Sequence, residues 1–133
     1  MSINNEKKKI LIVDSNKIQQ LTARSILNKR YETIAVDSGK DALNLLIKGD
    51  IPDVMLLDIS VPKNDGWGIF KNIKGICLLQ DIPIVFSSPL DGFLEKMYAS
   101  SIGVSDLISK PFKENELLLK IETAMEENQS QLA

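Results

Sequence analysis

Ile10-Leu11-Ile12-Val13 is an unbroken apolar run, and Asp14 closes it. A strand with one wet face alternates apolar and polar residues. A continuous run rich in β-branched side chains therefore belongs to a strand covered on both faces, as in a parallel sheet. The same pattern returns downstream. Thr33 to Val36 is a second short strand, and Val54 to Leu57 a third, ending at Asp58. Pro83 opens a fourth, Ile84-Val85-Phe86, which ends in Ser87-Ser88-Pro89, and Asp106 to Ser109 is a short fifth, closed by Lys110-Pro111.

Between these runs the apolar period becomes helical. After Asp14, Ser15 and Asn16 offer capping side chains, and Ile18, Leu21, Ile26 and Leu27 recur with helical spacing. Gly39 to Ile47 carries Ala42, Leu43, Leu45 and Leu46, with Gly49 as its stop. Pro62 through Gly66 supply a turn before a helical stretch from about Trp67 to Leu79, which Gly75 is placed to interrupt. Residues 91–101 read as a further helix. Leu117, Leu118, Ile121, Ala124 and Met125 form the apolar face of a C-terminal one, with glutamates on its solvated side and fraying after about Asn128. Five strands alternating with five helices predict an α/β fold. The expected form is a doubly wound five-stranded parallel sheet in the flavodoxin-like order 2-1-3-4-5, with helices on both faces. The expected division is an N-terminal arm over 1–9, a domain over 10–128 and a tail over 129–133.

Composition bounds the chemistry. The chain has 133 residues, 44% hydrophobic and 26% charged, which suits one globular domain with its own core. Sixteen Lys and Arg against eighteen Asp and Glu leave a net charge of −2, so no dedicated nucleic-acid surface is expected. Histidine is absent, which removes imidazole acid–base catalysis and Ser-His-Asp triads. The single cysteine, Cys77, allows no internal disulfide and reads as a packed or half-exposed thiol. No apolar run approaches the roughly 20 residues of a membrane helix, and the polar start MSINNEKKK is no signal peptide. A cytoplasmic setting without membrane association is the expectation.

Function in such sheets collects beyond the carboxyl ends of the strands. The residues there are Asp14, Asp58, Ser87 or Ser88, and Lys110. Two carboxylates brought together repel unless a cation intervenes. Lys110 is one such cation; a divalent metal is another, and all-oxygen ligands make it a hard one, best matched by Mg²⁺. A carboxylate flanked by cations and a hydroxyl suits one task, accepting a phosphoryl group.

The stretch Leu56-Leu57-Asp58-Ile59-Ser60-Val61-Pro62, continuing through Gly66, resembles the phospho-acceptor segment of the receiver domains of two-component response regulators. The resemblance runs from Ile10 to about Glu126. It implies Asp58 as the phosphorylation site, and Ser88 and Lys110 as the groups contacting the phosphoryl oxygens. Ser88 is favoured over Ser87 by its spacing from Pro83 and from Lys110. It further implies Mg²⁺ held by Asp14, Asp58 and the Ser60 backbone carbonyl, and a cis bond before Pro111. The implied partners are a sensor histidine kinase or phosphotransfer protein, and a downstream protein target. That target would meet the face formed by the helix over 91–101, the fifth strand and the C-terminal helix. No enzymatic role beyond self-catalysed phosphoryl transfer and its reversal by hydrolysis is implied.

Four positions depart from the family pattern, of which Val61 in place of the common methionine is a mild apolar swap. Ser15 stands where a second acid ligates the metal, so Mg²⁺ binding is expected to be weakened. Leu107 replaces the aromatic switch residue of the fifth strand, and Pro89 stiffens the loop after Ser88. Ser15 and Leu107 motivate an alternative, a degenerate receiver that works as a phosphorylation-independent interaction module. With no output segment visible after residue 128, the chain reads as a single-domain regulator or a piece of a longer one.

Overall fold

Successive residues of β1 (Lys9–Val13) go to opposite sides of the sheet: Ile10 and Ile12 enter one apolar layer, Leu11 and Val13 the other. None of the four is more than 2% exposed, which is why the strand needs no polar alternation. The computed structural model describes residues 7–89 and 106–132. β2 (Glu32–Val36), β3 (Val54–Asp58), β4 (Ile84–Ser88) and β5 (Asp106–Ser109) join β1 in one parallel sheet of order β2-β1-β3-β4-β5. The expected order is the observed one. The register sets Val13 beside Val36 and Leu57, and Asp58 beside Ser87, so the polar strand ends emerge along one rim.

Five helices lie among the described residues: α1 (Lys17–Leu27), α2 (Gly39–Ile47), α3 (Ser60–Asn64), α4 (Gly68–Leu79) and α5 (Glu114–Leu132). α1 and α5 cover the layer built on Ile10, Ile12, Val54, Leu56, Val85 and Ile108, while α2 and α4 cover the one built on Leu11, Val13, Met55, Leu57 and Phe86. α1 opens as its sequence demands, with the Asn16 side chain accepting from the Gln19 amide at 3.0 Å. Ser38 caps α2 in the same way, accepting from Asp41 at 3.1 Å.

Several elements differ from the sequence reading. The buried stripe of α1 is Gln20, Ala23, Ile26 and Leu27, whereas Ile18 and Leu21 are 72% and 65% exposed. Positions 20, 23, 26 and 27 fall within one arc of the helix, whereas Ile18 and Leu21 are too far out of phase to share it. The turn expected over Pro62–Gly66 begins as the short helix α3. Pro62 is its third residue, in the first turn, where an amide has no helical partner to lose. Gly66 and Trp67 then reverse the chain in left-handed conformations, φ +66° and +67°. The tryptophan is held there edge-on to Phe70 and Phe86, at centroid distances of 5.7 and 6.4 Å.

α4 passes Gly75 without a break, and α5 continues beyond Asn128 to Leu132. β1 takes in Lys9, whose amide donates to the Asp53 carboxylate at 2.7 Å. Cys77 is fully packed against α4's side of the sheet, and burial pushes its thiol up to about 12, so it stays protonated and unreactive. The Lys110–Pro111 bond is cis, as the resemblance implied. The helix expected over 91–101 lies outside the described residues. Among the described residues no helix is long and apolar enough to cross a membrane.

Leu56, on the central strand β3 and 1% exposed, reports the integrity of the core. Leu56→Ala is expected to cost about 3 kcal/mol in urea unfolding, through lost transfer energy and the cavity left behind. A loss below ~1 kcal/mol would show that the layer under α1 and α5 closes around the vacancy.

Candidate functional site

Each central strand ends in an aspartate that turns its own chain. The Asn16 amide donates to Asp14 Oδ1 at 2.9 Å, and the Ser60 amide donates to Asp58 Oδ1 at 2.8 Å. In both cases the donor is two residues on, so the carboxylate templates the loop that follows the strand. This local fold leaves Oδ2 of each residue pointing at the same atom. Lys110 Nζ, delivered from the end of β5, donates to Asp14 Oδ2 at 2.8 Å and to Asp58 Oδ2 at 2.6 Å. The side chains of Lys110, Asp14 and Asp58 are 13%, 4% and 7% exposed. This is a buried triad of two carboxylates on one ammonium.

Ser88 ends β4 and lies beside Ser109 in the register, and its carbonyl accepts from the Lys110 amide at 2.8 Å. Its hydroxyl is fully buried and has no hydrogen-bond partner among the described residues. A buried hydroxyl without a bond carries a desolvation cost. The strand ends thus bring Asp14, Asp58 and Lys110 into direct contact, with Ser88 joined to the lysine through the backbone. Ser60 joins through its amide and opens α3. Ser15 is exposed at the rim. Leu107 is half-buried beside Phe86 and packs on the α2–α4 layer.

The two carboxylates are electrostatically unequal. Burial is the largest influence on Asp14 and raises its pKa, reinforced by the Asp58 charge and opposed by Lys110 and the Asn16 amide. Burial also pushes on Asp58, but the Lys110 hydrogen bond and the Ser60 amide outweigh it, leaving Asp58 below the usual carboxylate range. Of the two carboxylates, Asp58 is therefore the one whose ionised form is favoured.

Among the described residues no cluster of three or more His, Cys, Asp or Glu side chains gathers as a metal cage. Mg²⁺ commonly uses one or two carboxylates and keeps several waters, so two oxygens already converging on one cation fit it. The set is minimal, because Ser15 brings no charge.

One residue missed in the sequence is Gln20, 6% exposed on the inner face of α1. Its Nε2 donates to the Asp14 carbonyl at 2.5 Å, the Val36 carbonyl at 3.2 Å and Asp37 Oδ1 at 2.7 Å. Its phase with Ala23 and Leu27 was the signal available.

Removing the ammonium exposes the triad's energetics. In Lys110→Met the carboxylates face each other uncompensated, a loss of about 3 kcal/mol at pH 7 for a broken buried pair. Their mutual repulsion raises the folded-state pKa of the pair above the unfolded value of ~3.9. Stability missing at neutral pH therefore returns as pH falls through that raised pKa. Urea unfolding at pH 7 and at about pH 5 should show the gap to wild type narrowing on acidification. A gap independent of pH would contradict the triad.

A family model for the response regulator receiver domain matches residues 10–122. A probable transcriptional regulator ycf27 of Guillardia theta is 32% identical over 124 residues, covering 90% of this chain and 46% of that protein. A protein of the same description from Pyropia yezoensis is 30% identical, covering 92% and 49%. This chain thus spans about half the length of the curated relatives it matches. Among solved structures, NtrX from Brucella abortus superposes with a TM-score of 0.82 at 26% identity, over 94% of this chain and 28% of that one. A CheY-like receiver domain protein from Methanospirillum hungatei shares the fold, with a TM-score of 0.77 at 19% identity over 95% and 99% of the two chains. With its sheet order, its acidic rim and these likenesses together, the chain belongs to the response regulator receiver domain family.

Proposed function

We propose that this chain accepts a phosphoryl group on Asp58 from a histidine kinase or phosphotransfer protein and, once modified, changes its affinity for a downstream protein. The observation that carries the reading is the ammonium of Lys110 held on both carboxylates at the rim where the hydroxyl of Ser88 is buried without a bond. An ionised oxygen of Asp58 attacks the phosphorus of the donor phosphohistidine. The N–P bond breaks as the new P–O bond forms, and the leaving imidazole takes its proton from solvent. The product is an acyl phosphate carrying about two negative charges on oxygens that need donors. Lys110 supplies an ammonium and Ser88 a hydroxyl, which together draw the new group toward the end of β4.

Asp14, Asp58 and the Ser60 carbonyl would hold Mg²⁺, which when bound offsets charge on the phosphoryl oxygens. Asp14 carries the strand-1 share of that ligation without the help of Ser15. An interaction-only domain has no use for an ionised acceptor and an unbonded buried hydroxyl, so the retained set favours phosphorylation over the degenerate reading.

With Leu107 in β5, the output passes through apolar packing against Phe86 rather than through a polar ring. The docking face would include the helix expected over 91–101, outside the described residues. The named regulators extend well past the matched segment, and we assign no nucleic-acid contact to this segment itself, whose net charge is −2. A cytoplasmic setting, where kinase and acceptor meet, belongs to the same reading.

Incubation with a small phosphodonor, with and without Mg²⁺, tests it by intact mass. A single Mg²⁺-dependent phosphoryl adduct is expected on wild type and none on Asp58→Asn. An adduct that survives in Asp58→Asn, or none at saturating Mg²⁺, removes the proposal. Ser15→Asp restores a carboxylate at the rim and should tighten Mg²⁺ by tenfold or more, equivalent to about 1.4 kcal/mol. Equal affinity in calorimetry would show that Asp14 alone already supplies the charge.

A further inference from the structure

We infer that Gln20 is a positioning residue: by holding the backbone carbonyl of Asp14 it fixes where the strand-1 carboxylate meets the cation of the site. The inference deepens the phospho-acceptor reading and rests on it. A buried glutamine on a helix face that packs Ala23 and Leu27 against a sheet is costly unless its donors are used. Here the amide nitrogen lies among three acceptors from two segments: the Asp14 carbonyl at the end of β1, and the Val36 carbonyl and Asp37 carboxylate at the end of β2. The Asp14 amide also donates to the Val36 carbonyl at 3.1 Å, so Gln20 closes a small ring around the point where the two chains leave the sheet.

Asp37 is itself anchored from outside, by Lys17 Nζ at 2.8 Å. The Gln20 amide is thus clamped between a carboxylate pinned by Lys17 and the peptide that carries Asp14. Asp14 Oδ1 is committed to the Asn16 amide and Oδ2 to Lys110, so a shift of its backbone carries both contacts with it. In a rim that has Ser15 in place of a second acid, the position of this carboxylate decides how much charge a cation meets. Groups that orient a ligand from behind typically change metal affinity by 10- to 100-fold when removed.

The test is carried out on the full chain with Gln20→Met, which keeps length and apolar volume but has no donor, and with Gln20→Arg, which restores N–H donors. Amide hydrogen exchange without metal reads the Asp14 turn directly. In Gln20→Met the Asn16 amide should exchange roughly tenfold faster while Leu11 and Ile12 keep their protection, a local opening rather than a global one. Mg²⁺ affinity by calorimetry should fall about tenfold in the same variant. Gln20→Arg should recover both readouts, which a purely packing role would not allow. If Gln20→Met does not fold, Gln20→Glu carries the test, with the same shape and a carboxylate facing the three acceptors. Wild-type exchange at Asn16 in the variant overturns the inference. Absence of Mg²⁺ binding in the wild type overturns the cation part of the phospho-acceptor reading instead, and the exchange result still decides Gln20.

Discussion

One buried ammonium makes the rest of the site possible. Two carboxylates at the end of adjacent strands cannot both stay ionised in a shielded rim without a positive charge between them. Lys110 supplies it from β5, which is separated from β3 by the whole width of β4. Strands stand about 4.8 Å apart, so the stem must cross the end of β4 to reach Asp58 and then Asp14. β4 ends in Ser87 and Ser88, whose small side chains leave that crossing open. The length of lysine, the small serines and the order of the sheet form one geometric solution.

The strands and their polar ends were legible because burial on both faces leaves a continuous apolar run, and the first residue that cannot be buried marks the rim. Four such ends, Asp14, Asp58, the Ser87-Ser88 pair and Lys110, were visible from the apolar runs alone. The choice of Ser88 over Ser87 came from spacing shared with a family; in the structure Ser88 is the serine whose hydroxyl is left without a bond. The inner face of α1 was misjudged, since Ile18 and Leu21 are exposed while Gln20 is buried. Hydrophobicity is a poor guide where the buried surface is made of peptide carbonyls, because a polar side chain then packs better than an apolar one. α3 was hidden for a related reason: Pro62 signals a turn, yet in a first helical turn it gives up nothing.

Ser15 alters the charge count rather than the architecture. With all three members of the triad ionised the rim carries one net negative charge, where two acids on β1's end would give it two. The neutral serine leaves the Asp14 turn untouched, because that turn is closed by the Asn16 amide. Ligation and loop geometry are therefore separable here: the fold tolerates the loss of an acid that the chemistry would use. The aromatic cluster of Trp67, Phe70 and Phe86 buttresses the other side of the rim, two residues from Ser88.

The members of the triad come from positions 14, 58 and 110, so nearly the whole chain must be in place before the last of them arrives. During synthesis, the strands bearing the aspartates leave the ribosome well before the lysine that neutralises them. A nascent β1–β3 pair thus carries a self-repelling edge, and closure of the fifth strand is the event that brings the compensating charge to it.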